Sequence, residues 1–337
     1  MKNKISNKDL STARVNKKDE FYTQLSDIEK ELKYYKEHFK DKIIYCNCDD
    51  PRVSNFFHYF SYNFEKIGLK KLITTCYKNQ DMDLFSQNNS ERAIYLEYTG
   101  SKNNNNIPNK SEIGINYLKG DGDFRSKECI ELLKQADIVV TNPPFSLFRE
   151  YVAQLIEYDK KFLIIGNINA VSYKEIFKLF KENKIWLGAS IHSGDREFGV
   201  PSYYPLNAAG VRVDENGNKF IRVKGVRWFT NLDYKERHEN LILYKKYNPK
   251  DYPKYDNYNA INVDKTSDIP MDYDGAMGVP ITFLDKYNPE QFEIIGSDYE
   301  VKEGLLPEIV NPKWKGKLDR GYINGKRMYA RLLIKRK

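Results

Sequence analysis

The chain lacks the features that mark membrane, secreted and metal-binding proteins. None of its segments approaches the ~18 uncharged residues that a membrane-spanning helix requires. Four cysteines in 337 residues do not make a disulfide framework. Cys46 and Cys48 could bind a metal only with further ligands, and the sequence has no second cysteine pair or histidine cluster to supply them. The basic start of the chain contains no apolar core of a signal peptide. We therefore expect a cytoplasmic protein that contacts no membrane and holds buried free thiols rather than a metal.

Acidic residues are scarce near the C-terminus, where positive charge accumulates. The whole chain has a formal net charge of +8, which indicates a polyanionic partner without proving one. A single acid, Asp319, stands there among many basic residues, which are Lys313, Lys315, Lys317, Arg320, Lys326, Arg327, Arg331, Lys335, Arg336 and Lys337. Trp314, Tyr322 and Tyr329 lie between them, and such a mixture suits phosphate contact and base stacking. The alternative is an ordinary solvated surface.

Short apolar runs alternate with helical patterns over residues 42–187. The predicted strands are 42–48, 71–76, 93–98, 115–118, 136–141, 162–166 and 184–187, with a later one at 225–231. The predicted helices are 27–39, 54–67, 126–135, 146–157 and 172–182. This alternation predicts an α/β fold with a doubly wound sheet, helices on both faces and ligands beyond the carboxyl ends of the strands. Asp49, Asp123 and Asn142 fall at such strand ends.

One turn carries most of the chemical information in the sequence. Asn142-Pro143-Pro144-Phe145 directly follows the predicted strand 136–141, and such a turn resembles the catalytic loop of amino-group DNA methyltransferases. Two prolines fix φ and remove N–H donors, so the loop presents hydrogen-bond acceptors. The Asn142 side-chain oxygen and the Pro143 carbonyl could hold both hydrogens of an adenine amino group and so localise the nitrogen lone pair for methylation. Phe145 would stack on a base swung out of the duplex; the alternative is a turn that merely ends a strand.

Longer motifs resemble the EcoRI-type adenine-N6 DNA methyltransferases nearly end to end. The segments that carry this resemblance are 19–24 (DEFYTQ), 45–57 (YCNCDDPRVSNFF), 122–126 (GDFRS), 141–148 (TNPPFSLF), 228–233 (WFTNLD) and 277–284 (MGVPITFL). The resemblance implies a Rossmann-like sheet, S-adenosylmethionine as methyl donor and double-stranded DNA as substrate. It also implies a monomeric protective methylase of a restriction-modification system, with a companion endonuclease that forms no stable complex with it.

The resemblance implies a donor site built from three of these motifs. Its members are Phe21, Tyr22, Thr23, Asp49, Asp50, Asp123 and Phe124. The first three would lie near the methionine end of the donor, the next two would face its amino group, and the last two would hold its adenine. Asp49 or Asp50 could instead cap the following helix, and Asp123 could be a turn residue.

Two features of most methyltransferases are missing from this part of the chain. The first predicted strand is followed by residues 47–51 instead of a glycine-rich turn, which leaves less room for close backbone approach. The second predicted strand is not followed by the acidic residue that is expected to hold the ribose of the donor. The EcoRI-type family shares the first departure.

Target binding is expected to involve residues late in the chain. By resemblance, Trp228 or Phe229 would join Phe145 around the flipped base, although alternation in a strand makes one of the two a core residue. Arginines suited to reading guanine lie in and beside residues 188–224, namely Arg196, Arg212, Arg222 and Arg227. We expect them to contribute to recognition of a short palindrome of the GAATTC type.

The predicted organisation has three parts. Residues 1–18 form a mobile N-terminus, 19–245 the methyltransferase catalytic domain and 246–337 a C-terminal DNA-binding region. Residues 188–224 are expected to be an irregular target-recognition insertion, and irregular structure is also expected after about 245. Two other functions stay open: an inactive DNA-binding protein on a methyltransferase scaffold, and an amino-methyltransferase that acts on RNA or protein.

Overall fold

The computed structural model describes residues 21–48, 54–75, 93–101, 108, 112–200 and 210–337. The strands are β1 (Tyr22–Thr23), β2 (Ile43–Cys46), β3 (Lys71–Thr75), β4 (Ile94–Tyr98), β5 (Gly114–Tyr117), β6 (Ile138–Thr141), β7 (Lys161–Asn167), β8 (Trp186–Leu187), β9 (Asp195–Val200), β10 (Val211–Val213), β11 (Lys219–Lys224), β12 (Val226–Thr230), β13 (Ala260–Asn262), β14 (Ala276–Val279), β15 (Phe292–Ser297), β16 (Tyr322–Ile323), β17 (Lys326–Arg327) and β18 (Leu332–Arg336). The α-helices are α1 (Leu25–Leu32), α2 (Lys36–Phe39), α3 (Asn55–Tyr62), α4 (Phe64–Ile67), α5 (Lys127–Gln135), α6 (Phe148–Glu157), α7 (Lys174–Lys181) and α8 (Asp298–Lys302). None of the helices in these ranges is long and apolar enough to cross a membrane.

The chain divides into two compact units. The described residues of Met1–Ala170 and Ser193–Asp233 form the first unit, and Val171–His192 and Tyr234–Lys337 form the second. The sequence placed a boundary near 245 and kept 171–192 with the first part. The structure differs because α7 and β8 group with the C-terminal segments by their contacts, which chain order does not reveal.

The first unit contains a large mixed sheet. Its strands lie in the order β5-β4-β3-β2-β6-β7-β12, with β3, β2, β6 and β7 parallel and β4, β5 and β12 antiparallel to their neighbours. The chain enters this sheet in the middle at β2, extends to one side through β3 and returns to the other side at β6. The predicted doubly wound sheet is confirmed, and the carboxyl ends of β2 and β6 meet at the point where the strand order reverses, which is where such sheets bind ligands.

Helices cover both faces of this sheet. Trp228 and Phe229 are consecutive in β12 and therefore point to opposite faces. The Trp228 ring meets Phe56 of α3, and the Phe229 ring meets Phe148 of α6. Gly166 of β7 allows the second contact, because a Cβ atom at this position would overlap the Phe148 ring.

A small antiparallel sheet of the first unit replaces the irregular structure expected at 188–224. Its order is β1-β9-β11-β10, and Phe198 of β9 pairs with Thr23 of β1 on one side and with Ile221 of β11 on the other. Phe198 and Val200 of β9 are buried on either side of a less buried Gly199, as in strands with one buried face. Each strand depends on its partner for its hydrogen bonds, so short windows of sequence did not predict them.

The second unit also has its own sheet, in a region predicted to be irregular. Strands β13, β14, β18 and β15 lie side by side in that order, with β13 and β14 parallel and the other pairs antiparallel. Tyr255, Val301 and Leu333 belong to the buried cluster beneath it. Strands β16 and β17 form a hairpin whose turn residues, Asn324 and Gly325, have φ values of 50° and 72°, as tight hairpin turns require.

Candidate active site

The Asn-Pro-Pro-Phe loop lies at the carboxyl end of β6, as the sequence predicted. All four residues of β6 are buried, and a single 3₁₀ turn over Phe145–Leu147 leads directly into α6. Asn142 and Pro143 are buried and Phe145 is half-buried. The loop is therefore held between a core strand and a core helix, which restricts its movement.

The Asn142 side chain has one satisfied and one unsatisfied polar atom. Only 6% of the residue is exposed, and its Nδ2 donates a hydrogen bond to the Phe21 carbonyl oxygen at 2.6 Å. Its Oδ1 is buried and finds no hydrogen-bond partner among the described residues. An unpaired buried acceptor costs about 1–3 kcal/mol, which an incoming N–H donor would offset. The site thus offers an acceptor to a ligand amino group.

Phe145 of the Asn142 loop packs in a cluster with two other phenylalanines. The Phe145 ring lies edge-on to Phe21, with centroids 5.7 Å apart, and 6.4 Å from Phe198. Phe21 and Phe198 are themselves 5.8 Å apart. Phe198 was missed because it lies in β9, inside the stretch expected to be irregular. The two-residue spacing of the apolar Phe198 and Val200 was the signal that could have found it. The cluster forms an apolar wall beside the buried amide.

The end of β2 is tied to both β6 and α6 through Asn47. The Asn47 side-chain oxygen accepts a hydrogen bond from the Tyr151 hydroxyl of α6, and its carbonyl accepts one from the Thr141 hydroxyl of β6. Burial raises the pKa of Tyr151 well above its ordinary value, so this hydroxyl remains a neutral donor. These bonds fix the two strand ends against each other at the switch point.

Cys48 turns the chain where most methyltransferases have glycine. Its φ is 75°, a left-handed value that glycine adopts at much lower cost. The turn predicted to lack room is therefore made by a cysteine in a glycine-like conformation. Asp49 and Asp50, which were predicted to face the donor amino group, lie outside the described residues.

The three residues predicted near the methionine end of the donor lie beside the catalytic loop. Phe21 contacts Asn142 through its carbonyl oxygen, and Tyr22 and Thr23 form β1. The Thr23 hydroxyl oxygen is buried without a hydrogen-bond partner in the described part of the chain. The Thr23 carbonyl accepts from Asn55 Nδ2 of α3 at 2.7 Å. The structure thus brings this predicted group and Asn142 together.

The Asp123 carboxylate is held by Arg125. Asp123 Oδ1 accepts from the backbone N and Nε of Arg125 at 2.8 and 2.9 Å, and Oδ2 accepts from Nη2 at 2.7 Å. Arg125 also reaches Glu150 of α6 at 2.8 Å. Phe124 is buried with its ring edge-on to Tyr151, 5.0 Å between centroids. The arrangement fixes the position of the carboxylate. It is compatible with Asp123 as a turn residue and with Asp123 as a residue that binds the methyl donor.

Trp228 and Phe229 are both fully buried in β12. Their rings pack on core residues of α3 and α6, as described above, and all five residues of the strand are buried. The sequence predicted that one of the two would contact a flipped base. Both rings are buried because α3 and α6 cover the two faces of β12, and this burial argues against that role.

The four arginines predicted to read DNA differ in exposure. Arg227 is 3% exposed and donates to the Val226 carbonyl at 2.8 Å, which argues against a contact with a DNA groove. Arg196 is half-buried, with Nε 3.9 Å from Asp27. Arg212 and Arg222 reach the solvent. Glu197 holds Arg212 through two hydrogen bonds of 2.7 and 2.5 Å and pairs with Arg222 in the strand register.

The basic C-terminal residues are not equivalent either. Lys326 and Arg327 are exposed on the β16–β17 hairpin, and Arg327 contacts Asp319 at 2.7 Å. Trp314 packs on Tyr322 with centroids 5.3 Å apart, whereas Tyr329 is 82% exposed. The hairpin therefore presents positive charge next to aromatic rings, a combination that suits phosphate contact and base stacking.

Comparison with known proteins gives matches over nearly the whole chain. The family described as adenine-specific methyltransferase EcoRI matches residues 9–337. Type II methyltransferase M.EcoRI of Escherichia coli is 53% identical and is aligned over 100% of this chain and 99% of its own length. The Mycoplasma genitalium and Mycoplasma pneumoniae type II methyltransferases, M.MgeORF184P and M.MpnI, are 41% and 40% identical, each over 96% of this chain and 97% of their own lengths.

A doubly wound sheet with an Asn-Pro-Pro-Phe loop at its switch point is the arrangement of an enzyme that methylates an amino group. The comparisons narrow that class: this chain belongs to the EcoRI family of adenine-specific methyltransferases. It is a DNA adenine methyltransferase, so the family resemblance and the activity inferred from the motifs are confirmed.

Proposed function

We propose that this enzyme methylates adenine N6 within a GAATTC-type site of duplex DNA, with S-adenosylmethionine as donor, and protects that site in a restriction-modification system. The observation that carries the proposal is the Asn142 Oδ1 at the switch point of the sheet, which is buried and has no hydrogen-bond partner among the residues that the structure describes. The 53% identity to a type II methyltransferase over the full length supports the protective role.

The loop would act on the amino group by accepting a hydrogen bond from each of its two N–H groups. Adenine N6 is a weak nucleophile because its lone pair is delocalised into the ring. Hydrogen bonds to Asn142 Oδ1 and the Pro143 carbonyl oxygen would hold the hydrogens out of the ring plane and localise the lone pair on nitrogen. Both acceptors are rigid before the substrate arrives, so little reorganisation is needed. S-adenosylmethionine supplies an electrophilic methyl group on its sulfonium sulfur.

The target base would be held by the aromatic wall beside the amide. Phe145 and Phe21 are half-buried and border the loop, so each retains ring surface for stacking on a flipped base. Phe198 supports them from β9. Trp228 and Phe229 would support the fold rather than touch the base.

The described donor-site residues fit a polar cofactor. The buried Thr23 hydroxyl lacks a partner in the described part of the chain, and Asp123 and Phe124 place a carboxylate and an aromatic ring next to one another. Thr23 with its neighbours Phe21 and Tyr22 would bind the methionine end, and Asp123 with Phe124 would bind the adenine. Asp49 and Asp50 are proposed to face the donor amino group.

Asp123→Ala should weaken donor binding by about 1–3 kcal/mol, because the amino group of the donor's adenine would lose its acceptor. Calorimetric titration with S-adenosylhomocysteine measures this change. Arg125→Ala is the matched control, since it removes the two side-chain hydrogen bonds from Arg125 but keeps the carboxylate. If both variants lost the same affinity, Asp123 would only shape the turn.

DNA would be read by the small sheet and held by the C-terminal hairpin. Arg222→Ala should reduce discrimination between GAATTC and singly substituted sites by about 1–3 kcal/mol. Lys326→Ala should instead weaken binding to all sequences and reduce the slope of affinity against salt by about one. Titration of labelled duplexes at several salt concentrations measures both effects. Equal loss of affinity for every sequence in Arg222→Ala would remove that residue from recognition.

The proposal as a whole is tested with purified protein and tritiated S-adenosylmethionine. Methyl transfer to duplex DNA, with RNA and protein as control substrates, separates the DNA reaction from the two alternative amine targets. Single-molecule sequencing of DNA from cells that express the enzyme then reports the modified motif. N6-methyladenine in an unrelated motif would reject the GAATTC assignment but keep the enzyme class. The companion endonuclease, the monomeric state and the cytoplasmic location stay predictions.

A further inference from the structure

We infer that the backbone carbonyl of Phe21 is a positioning group that orients the Asn142 amide for catalysis. It accepts the hydrogen bond from Nδ2 at 2.6 Å, which leaves Oδ1 as the atom presented to the target amino group. This inference rests on the acceptor role proposed for Asn142. The inference adds a second requirement to that acceptor role: the side chain of residue 142 must also donate a hydrogen bond.

The geometry leaves one orientation for the amide. A 180° rotation of the amide would place Oδ1 at hydrogen-bond distance from the Phe21 carbonyl oxygen, and both of these atoms are acceptors. The rotated amide would also present Nδ2, a donor, to the target amino group, which is itself a donor. Asn142 is 6% exposed, so water has little access to relieve either mismatch. The distance of 2.6 Å lies just below the usual range of N–H···O bonds.

Contacts outside the catalytic loop help to hold the Phe21 carbonyl in place. The two residues after it pair with β9, Tyr22 with Gly199 and Thr23 with Phe198. Asn55 of α3 donates to the Thr23 carbonyl at 2.7 Å. The Phe21 ring packs against Phe198 at 5.8 Å. The carbonyl is therefore fixed by β9 and α3 before the DNA binds.

This arrangement explains why the chain has asparagine and not aspartate at position 142. An aspartate oxygen would accept from an amino group as well as an amide oxygen does. A carboxylate has no hydrogen to donate, so its second oxygen would face the Phe21 carbonyl without a bond. Burial and this acceptor would both raise the pKa of the introduced carboxyl group. Once protonated, it could donate to Phe21 with one oxygen and accept from the substrate with the other.

Asn142→Asp therefore provides the test. At pH 8 its single-turnover methylation rate should fall at least about 100-fold below wild type, as when one positioned polar group is lost from an active site. The ratio of variant to wild-type rate should then rise as the pH falls, by about tenfold per pH unit above the pKa of the new carboxyl, because the protonated fraction rises in that proportion. A purely structural defect would not follow this pH dependence.

Asn63→Asp is the matched control. Asn63 Nδ2 also donates to a backbone carbonyl, that of Tyr59 at 2.8 Å, but at the end of α3 and with no part in the catalytic loop. Its rate relative to wild type should not change with pH. The variant and the wild type share the charged groups of α1, β9 and α6, such as Asp27, Asp195, Arg196, Glu197, Arg149 and Glu150, so the ratio of the two rates isolates the effect of residue 142.

Each outcome bears on a distinct claim. An Asn142→Asp variant with a wild-type rate at pH 8, or with a loss that is the same at every pH, overturns the positioning role of Phe21. Normal affinity for S-adenosylhomocysteine and an unchanged melting temperature identify the variant as folded. Full activity in Asn142→Ala would instead overturn the proposed acceptor role, on which the inference rests.

Discussion

Asn142→Ala should lower the rate of methyl transfer by about 100- to 1,000-fold, or about 2.7–4 kcal/mol in activation free energy. The physical reason is that Asn142 Oδ1 is asked to bind the amino group more strongly as the nitrogen becomes tetrahedral, so the loss falls on turnover rather than on binding. Single-turnover assays with enzyme in excess over a labelled duplex measure the chemical step directly.

Binding measurements distinguish this outcome from general damage to the site. DNA and S-adenosylhomocysteine affinities of Asn142→Ala should remain close to wild type, and Asn63→Ala, which removes an amide-to-carbonyl bond elsewhere, should keep its rate. Near-normal methylation by the Asn142 variant would mean that the loop is only a turn that ends β6.

Asp298→Asn should stabilise the protein against unfolding at pH 8 by up to about 3 kcal/mol. Asp298 is 2% exposed, and burial raises its pKa from 3.8 to about 6. Its Oδ2 accepts from the Arg331 backbone N at 2.7 Å, whereas Oδ1 is buried and has no hydrogen-bond partner in the described ranges. Asparagine keeps an acceptor for Arg331 and carries no charge, so it avoids the desolvation of a buried carboxylate.

The gain should depend on pH in a defined direction. The folded carboxyl binds its proton more tightly than the unfolded one, so its contribution to stability is fully present below about pH 4 and is lost as the pH rises through about 6. The charged groups that act on Asp298 are Arg320 and Arg331, and neither is changed by the substitution. The advantage of Asp298→Asn should therefore be absent near pH 4 and complete near pH 8.

Urea unfolding at several pH values tests this prediction. Asp251→Asn serves as the control, because Asp251 is exposed and contacts Asn248 of its own turn, so its effect should be small at every pH. A gain for Asp298→Asn that does not vary with pH, or a loss at pH 8, would contradict the proposed effect of burial.

The sequence by itself determined the sheet of the first unit and the place of the catalytic loop. Strands such as β6 and β7 are continuous apolar runs, and each is followed by a helix with a buried apolar face, so local pattern and final structure agree. Asn142 lies at the switch point because the chain order of these elements leaves little freedom in a doubly wound sheet. The motifs around that loop also sufficed to assign the family.

Only the tertiary structure decided which side chains of these motifs are accessible. Arg227, Trp228 and Phe229 look like binding residues in sequence but are buried. The two rings are covered because α3 packs on one face of β12 and α6 on the other. Phe198 and the Phe21 carbonyl reach the loop because β1 and β9 pair across more than 170 residues of chain. Burial and strand pairing depend on partners remote in sequence, whereas periodicity and turn chemistry are local, and that difference separates what could be predicted from what could not.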